Sequence, residues 1–169
     1  GLQSARGALI IRQLCLFIDP AKILTAISLI LMEHSDLSFC GSMIQTVSVI
    51  LLTARELKDL REQLRSFHRQ RKRKADKETE ALFVVLFEAF CNNAVATVSL
   101  CLLCELYELA STLLTLIGGY EMTVDFLCEL DKLVQLVESP VFSSMRLQLL
   151  DPQKYPFLFR ALYALLMIL

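Results

Sequence analysis

Between Met122 and Val137 the apolar residues Phe126, Leu127, Leu130, Leu133 and Val134 recur at three- and four-residue spacing, while Asp125, Glu129, Lys132 and Gln135 fall on the other side. That pattern predicts a helix with one buried face. Ser139 then stands where an N-cap is expected, with Pro140 at the first helical position. The chain therefore stops, turns and begins a second helix that carries Phe142, Met145, Leu147 and Leu150. Helix pairs of this kind stack to build repeat proteins.

The same punctuation divides the rest of the sequence. A first helix runs to about Phe17, and Asp19 with Pro20 caps a second that reaches about Glu33. His34, Ser35 and Asp36 form the next break, and residues 37–52 a third helix. Thr53 and Glu56 read as a capping box opening a fourth, which ends near Ser66 and has Leu57, Leu60 and Leu64 as its apolar stripe. Residues 67–79 show no apolar periodicity and are expected to form a basic, flexible loop. A fifth helix spans Glu80 to about Cys91, Asn92 and Asn93 break it, and a sixth starts at Ala94. Its boundary with the seventh, between Cys104 and Tyr107, contains no breaker. Gly118 and Gly119 are expected to end the seventh helix as a left-handed pair. A hairpin turn is the rival reading there, but no other strand signal exists for such a hairpin to pair with. Pro156 opens a terminal helix that is apolar nearly all round.

The fold class expected is all-α, a HEAT/armadillo-like solenoid or the helical bundle cap of one, with roughly nine to ten helices in a single domain over 1–169. The hydrophobic fraction of 55% and only five glycines and four prolines agree with long helices and few loops. Mean hydropathy of +0.53 raises the question of a membrane span. The best candidate, 37–54, is uncharged but carries Ser38, Ser42, Gln45, Thr46, Ser48 and Thr53 through its length, which suits a buried helix better than a lipid-facing one. The chain starts at Gly1 and ends in LLMIL, and a fragment of a longer protein is expected.

Net charge is −1, yet residues 65–77 hold seven of the 17 basic side chains and one of the 18 acidic ones, so the remainder is acidic. Arg69, Arg71, Lys72, Arg73 and Lys74 form a candidate anionic-surface loop, suited to lipid headgroups. The bland reading is a solubilising loop. Nucleic acid is disfavoured because aromatic residues that could stack on bases are absent apart from Phe67.

Catalysis finds little support. His34 and His68 are the only histidines, and the first belongs to a helix break in which three consecutive residues cannot face one another as nucleophile, base and orienter. No glycine-rich phosphate loop occurs, and the carboxylates Asp125 and Glu129, or Glu105 and Glu108, lie at helical spacing on solvated faces. Cys15, Cys40, Cys91, Cys101, Cys104 and Cys128 all sit in apolar helical runs and are expected as buried, reduced thiols. The pair Cys101 and Cys104 has metal spacing without a second pair or a nearby histidine. No enzyme activity, cofactor or metal is expected. The terminal helix is instead a candidate protein interface, with Phe157, Phe159, Arg160 and Tyr163 of the residue kinds enriched at interfaces.

The run VDFLCELDKLVQLVESPVFSSMRLQLLD at 124–151, with ALYALLM at 161–167, resembles the C-terminal domain of the vacuolar-morphology (Vac-fourteen) scaffold family of the PIKfyve lipid-kinase complex. LSFCGSMIQTVSVILLTARELKDLREQL at 37–64 and AVATVSLCLLCELYELASTLL at 94–114 agree with it. The resemblance implies a helical scaffold without catalysis, with the rest of a solenoid on its N-terminal side. It implies self-association as a homo-oligomer, a pentamer, and assembly of a PIKfyve-type phosphoinositide kinase with a Sac-domain phosphoinositide phosphatase. Those partners make and degrade phosphatidylinositol 3,5-bisphosphate on the cytoplasmic face of vacuolar, lysosomal or endosomal membranes. The residues by themselves leave a second reading open, a generic solenoid adaptor for trafficking or transport whose basic loop binds acidic partners.

Overall fold

The computed structural model describes residues 2–70 and 77–169, with side chains at 5–67 and 77–169. Among these residues there are ten α-helices, two 3-10 turns and no strand, which establishes the all-α class. The helices are α1 (Leu2–Phe17), α2 (Pro20–Glu33), α3 (Leu37–Thr53), α4 (Lys58–Gln70), α5 (Lys77–Phe90), α6 (Ala94–Leu103), α7 (Tyr107–Ile117), α8 (Val124–Glu138), α9 (Ser143–Gln148) and α10 (Pro156–Ile168). The 3-10 turns are Arg55–Leu57 and Pro140–Phe142. The chain divides into two compact units, Gly1–Leu100 and Cys101–Leu169, with the division inside α6.

In the first unit, capping fixes the helix starts. The Asp19 carboxylate accepts the Ala21 N–H at 3.1 Å, with Pro20 at the first position of α2. Asp36 accepts from Phe39 at 3.0 Å to open α3, and His34 Nδ1 accepts the Asp36 N–H, so His34, Ser35 and Asp36 form the break expected of them. α2 lies along α5, and α3 sits between α1 and α5. Leu24, Ile44, Leu57, Leu64, Leu86 and Phe90 are fully buried there. α3 approaches the turn after α5 so closely that a Cβ on Gly41 would stand 3.1 Å from the Asn92 carbonyl oxygen.

Two expectations about the fourth helix change. Thr53 is the last residue of α3 and donates its hydroxyl to the Val49 carbonyl, so it caps nothing; Glu56 turns to Arg12 instead. The basic loop expected at 67–79 is helical at 67–70, which end α4, and at 77–79, which begin α5. The cause is Phe67, which continues the Leu60–Leu64 stripe by one more turn, is buried, and stacks on Phe83 of α5 with ring centroids 5.0 Å apart. Gln63 Nε2 also donates to the buried Thr79 hydroxyl at 2.8 Å. Residues 71–76 lie outside the described part.

In the second unit α10 packs along α7, and the two run parallel. Tyr107 meets Tyr155 edge-on at their starts, and Gly118 lies beside Ile168 at their ends. The break between α6 and α7 is made at Glu105, the one described non-glycine residue with a positive φ, 59°. This backbone costs of order 1–3 kcal/mol in a residue with a Cβ. The surroundings hold it in place: Leu106 N–H donates to the Cys101 carbonyl at 2.9 Å, and the buried Glu105 carboxylate accepts from Gln148 Nε2 at 3.0 Å. Gln148 in turn accepts the Tyr107 hydroxyl at 2.5 Å, so one α9 side chain satisfies both ends of the break. Gly118 and Gly119 end α7, but neither is left-handed. The N–H groups of Gly118, Gly119 and Tyr120 bond back to Leu114, Leu116 and Ile117 in a tightening final turn, which needs no positive φ.

Candidate interaction surfaces

Each unit contains a helix that ends in a 3-10 turn and continues as a second helix, and in each an arginine closes the corner. In the first unit Arg61 Nη1 donates to the carbonyls of Leu51 and Ala54 at 2.9 and 2.6 Å. In the second Arg146 Nη1 donates to Val137 at 2.5 Å and Ser139 at 2.7 Å. These are carbonyls that the ends of α3 and α8 leave without intrahelical donors. Burial holds the Arg61 guanidinium below its ordinary range, and Arg65 nearby acts in the same direction. Ser139, expected as an N-cap, donates its hydroxyl backward to Leu136 and makes no side-chain cap to the turn.

α8 is less covered than its sequence pattern suggests. Leu130 and Leu133 are buried, but Met122, Phe126, Leu127, Val134 and Val137 are only half-buried. Pro140–Phe142 is the element that α8 touches most. At 100° per residue these side chains share one face, edged by Asp131 and Glu138 on one side and by Glu129 on the other, with Asp125 beyond that edge toward the far side. Lys132 lies on the far side.

α10 buries Leu158, Ala161 and Leu165 against α7. Of the four interface candidates, Arg160 and Tyr163 point outward, Tyr163 with 68% of its surface open; Phe157 stands at one edge and Phe159, half-buried, at the other. The Arg160 guanidinium lies over the Phe157 ring, 5.5 Å from its centroid. Met167, 86% exposed, completes an outward stripe of Arg160, Tyr163 and Met167 that the sequence did not single out. In a helix apolar all round, no periodicity tells one face from another.

The candidate anionic-surface residues fall at the edge of what is described. Arg69 belongs to the last turn of α4, and Arg71, Lys72, Arg73 and Lys74 lie outside the described residues. All six thiols are free, but Cys91 and Cys128 are exposed, contrary to expectation. Cys91 follows the last residue of α5, and Cys128 lies on the solvent side of α8, nearly opposite Leu130. Among the described residues, no three His, Cys, Asp or Glu side chains are grouped to hold a metal ion. Among them also, no single helix is long and apolar enough to cross a membrane. Leu37–Thr53 and Arg55–Phe67 pass that test only as a pair bent by 77°.

The whole chain, residues 1–169, matches the family model described as vacuolar protein 14 C-terminal Fig4p binding. It is 45% identical over 166 residues to a "Protein VAC14 homolog" of Schizosaccharomyces pombe, covering 98% of this chain and 20% of that protein. It is 39% identical over 168 residues to a "Protein VAC14 homolog" of Arabidopsis thaliana, covering 99% and 22%. Identity is 40% over 168 residues to the "Vacuole morphology and inheritance protein 14" of Saccharomyces cerevisiae, covering 99% and 18%. The chain thus spans about a fifth of the length of these curated relatives. No solved structure matches it. An all-helical fold and a family match running the full length of the sequence converge on one assignment: the chain belongs to the vacuolar protein 14 C-terminal, Fig4p-binding family.

Proposed function

We propose that this chain is a non-catalytic scaffold domain over 1–169 that binds a Sac-domain phosphoinositide phosphatase of the Fig4p type. The observation carrying this reading is the match of residues 1–169 to a family described by Fig4p binding. In the same reading the domain self-associates through α10, with Phe157, Phe159, Arg160 and Tyr163 at the contact. A phosphoinositide kinase of the PIKfyve type joins the assembly, which adjusts phosphatidylinositol 3,5-bisphosphate on the cytoplasmic face of vacuolar, lysosomal or endosomal membranes. The resemblance of the sequence to the scaffold family supports these steps, as do the relatives named for vacuole morphology. The open apolar stripe on α10 supports the self-association. The basic residues Arg69, Arg71, Lys72, Arg73 and Lys74 are assigned to the anionic membrane surface, where each contributes about 1 kcal/mol.

Co-expression of the chain with a Sac-domain phosphatase, followed by affinity purification and mass measurement in solution, tests the reading. A stoichiometric complex is expected. Recovery of the chain alone, at any salt concentration that keeps both proteins soluble, overturns it. For the self-association step, Tyr163→Glu is expected to lower the measured mass without loss of helix content, because a charge would be buried at the contact. An unchanged mass removes α10 from the contact.

A further inference from the structure

Residues 94–117 contain no glycine, proline or asparagine, so their local chemistry gives a helix no reason to stop. The helix stops all the same. The Glu105 N–H bonds to the Leu102 carbonyl at 3.2 Å and the Leu106 N–H to the Cys101 carbonyl at 2.9 Å, the paired bonds of a Schellman cap. The left-handed residue of such a cap is usually glycine, because a Cβ there crowds the following carbonyl oxygen. Here it is Glu105, with φ 59°. A segment that favours continuing as helix is therefore held in a break, and the group that holds it comes from a distant part of the chain.

That group is the Gln148 side chain. Buried on α9, it donates to the Glu105 carboxylate at 3.0 Å and accepts the Tyr107 hydroxyl at 2.5 Å, so it grips both the left-handed residue and the first residue of α7. α9 is six residues long, and the element it touches most is the turn Pro140–Phe142 that leads into it. Its buried side chains are Met145 and Gln148. The docking of so short a helix and the backbone conformation of Glu105 thus support one another through one amide. Glu105, Tyr107 and Gln148 all lie within the second unit.

We propose that these residues form a conformational latch: while Gln148 is bonded, α9 stays docked and Glu105 stays left-handed, and when it lets go the break relaxes toward right-handed helix and α9 lifts away. Met145, buried in the closed state, is uncovered in the open one. The two states are a local equilibrium of the folded chain, with α7 and α10 packed in both. The latch stands independently of which protein the domain binds.

Hydrogen exchange of the intact chain, followed by mass spectrometry of its peptides, tests it. Glu105→Ala and Glu105→Gly both remove the carboxylate, but glycine takes the left-handed backbone freely and resists helix, whereas alanine does the opposite. Peptides covering α9 are expected to exchange about tenfold faster in the alanine variant than in the glycine variant, with those covering α10 unchanged. Equal α9 exchange in the two would mean that the buried Leu102, Leu103 and Cys104 fix the break without the latch, and overturns it. Faster exchange of α10 in step with α9 also overturns it, because the opening is then unfolding of the whole unit. Tyr107→Phe is the milder probe, since it removes the hydroxyl bond to Gln148 and leaves the ring against Tyr155. An increase of about threefold, confined to α9, is expected from it. If the alanine variant does not fold, this variant decides, and unchanged α9 exchange in it overturns the latch.

Discussion

The corner from α3 to α4 and the corner from α8 to α9 are built alike. In each, a helix stops at a capping residue, Ala54 or Ser139, a 3-10 turn follows, and an arginine seven residues beyond the cap returns to that cap's carbonyl. The turn's last residue, Leu57 or Phe142, is fully buried in both, and the side chain three residues on, Leu60 or Met145, is buried too. What differs is the cover over the helix leading into the corner. α3 has seven buried side chains, although Leu37, Phe39 and Val49 on its outer side are exposed, whereas α8 has two and the rest of its apolar face is partly covered. The same local device therefore supports a helix with a long buried face in one unit and a helix with a short one in the other, so corner geometry does not by itself set how deeply the incoming helix is buried.

The most severe way to break the comparison is to empty the corners. Phe142→Ala should cost about 4 kcal/mol and Leu57→Ala about 3 kcal/mol, transfer and cavity costs together. Urea unfolding followed by circular dichroism would read both as shifted midpoints. If Phe142→Ala costs less than about 1 kcal/mol, the second corner collapses around the gap and is not packed as tightly as the first.

The arginines should separate the corners further. Arg61→Leu removes a buried guanidinium and its bonds to the Leu51 carbonyl and to the Ala54 carbonyl, which keeps only the Leu57 N–H, a loss of about 3 kcal/mol. Arg146→Leu removes a half-buried guanidinium from the Val137 and Ser139 carbonyls, the second of which keeps the Phe142 N–H, and about 1 kcal/mol is expected. Equal losses would show that burial of the corner is not what sets the strength of the clamp.

How much of this was legible in the sequence follows from where each interaction lies along the chain. Local devices were legible: Asp19 with Pro20, Asp36 before α3, and the leucine stripe of α4 all act within a turn or two. The clamps of Arg61 and Arg146 reach seven to ten residues back and depend on the bend between helices, so no helical periodicity announces them. The Glu105 break carries no glycine or proline because its support, Gln148, lies 43 residues away. Thr53 and Glu56 fit the capping-box pattern, yet Arg12 of α1 takes the carboxylate, a tertiary contact overriding a local one. For the interaction surfaces, the residue kinds on α10 were readable but its outward face was not. On α8 the apolar face was readable but the degree of its burial was not, since that depends on which elements cover it.

Two buried serines give a finer comparison with opposite signs. Ser28 on α2 is fully buried and its hydroxyl has no hydrogen-bond partner, whereas Ser111 on α7, equally buried, donates to the Glu108 carbonyl at 2.9 Å. Ser28→Ala should stabilise the chain by about 1 kcal/mol, and Ser111→Ala should destabilise it by a similar amount. Melting curves of the two variants would settle it; a loss at both positions would mean that the Ser28 hydroxyl is satisfied in solution.

The smallest effect expected is electrostatic and belongs to the first corner alone. Glu56, in the 3-10 turn, is bonded by Arg12 Nη2 at 3.1 Å, while the corresponding position of the second corner is Val141, which can form no ion pair. Its own backbone N–H, and then the Arg12 guanidinium, hold the Glu56 carboxyl below its ordinary value of 4.5. A carboxylate whose folded-state value is depressed binds fewer protons folded than unfolded. Its contribution is therefore complete above the ordinary value and disappears as pH falls through the folded one. Glu56→Gln should thus be slightly less stable than wild type at neutral pH and equal to it in acid, and added salt should shrink the difference because the pair is at the surface. Unfolding midpoints of both proteins between neutral and acidic pH would check this. A gap that stays constant as the carboxyl protonates would assign the loss to packing of the Glu56 side chain, and the first corner would then differ from the second only in its cover.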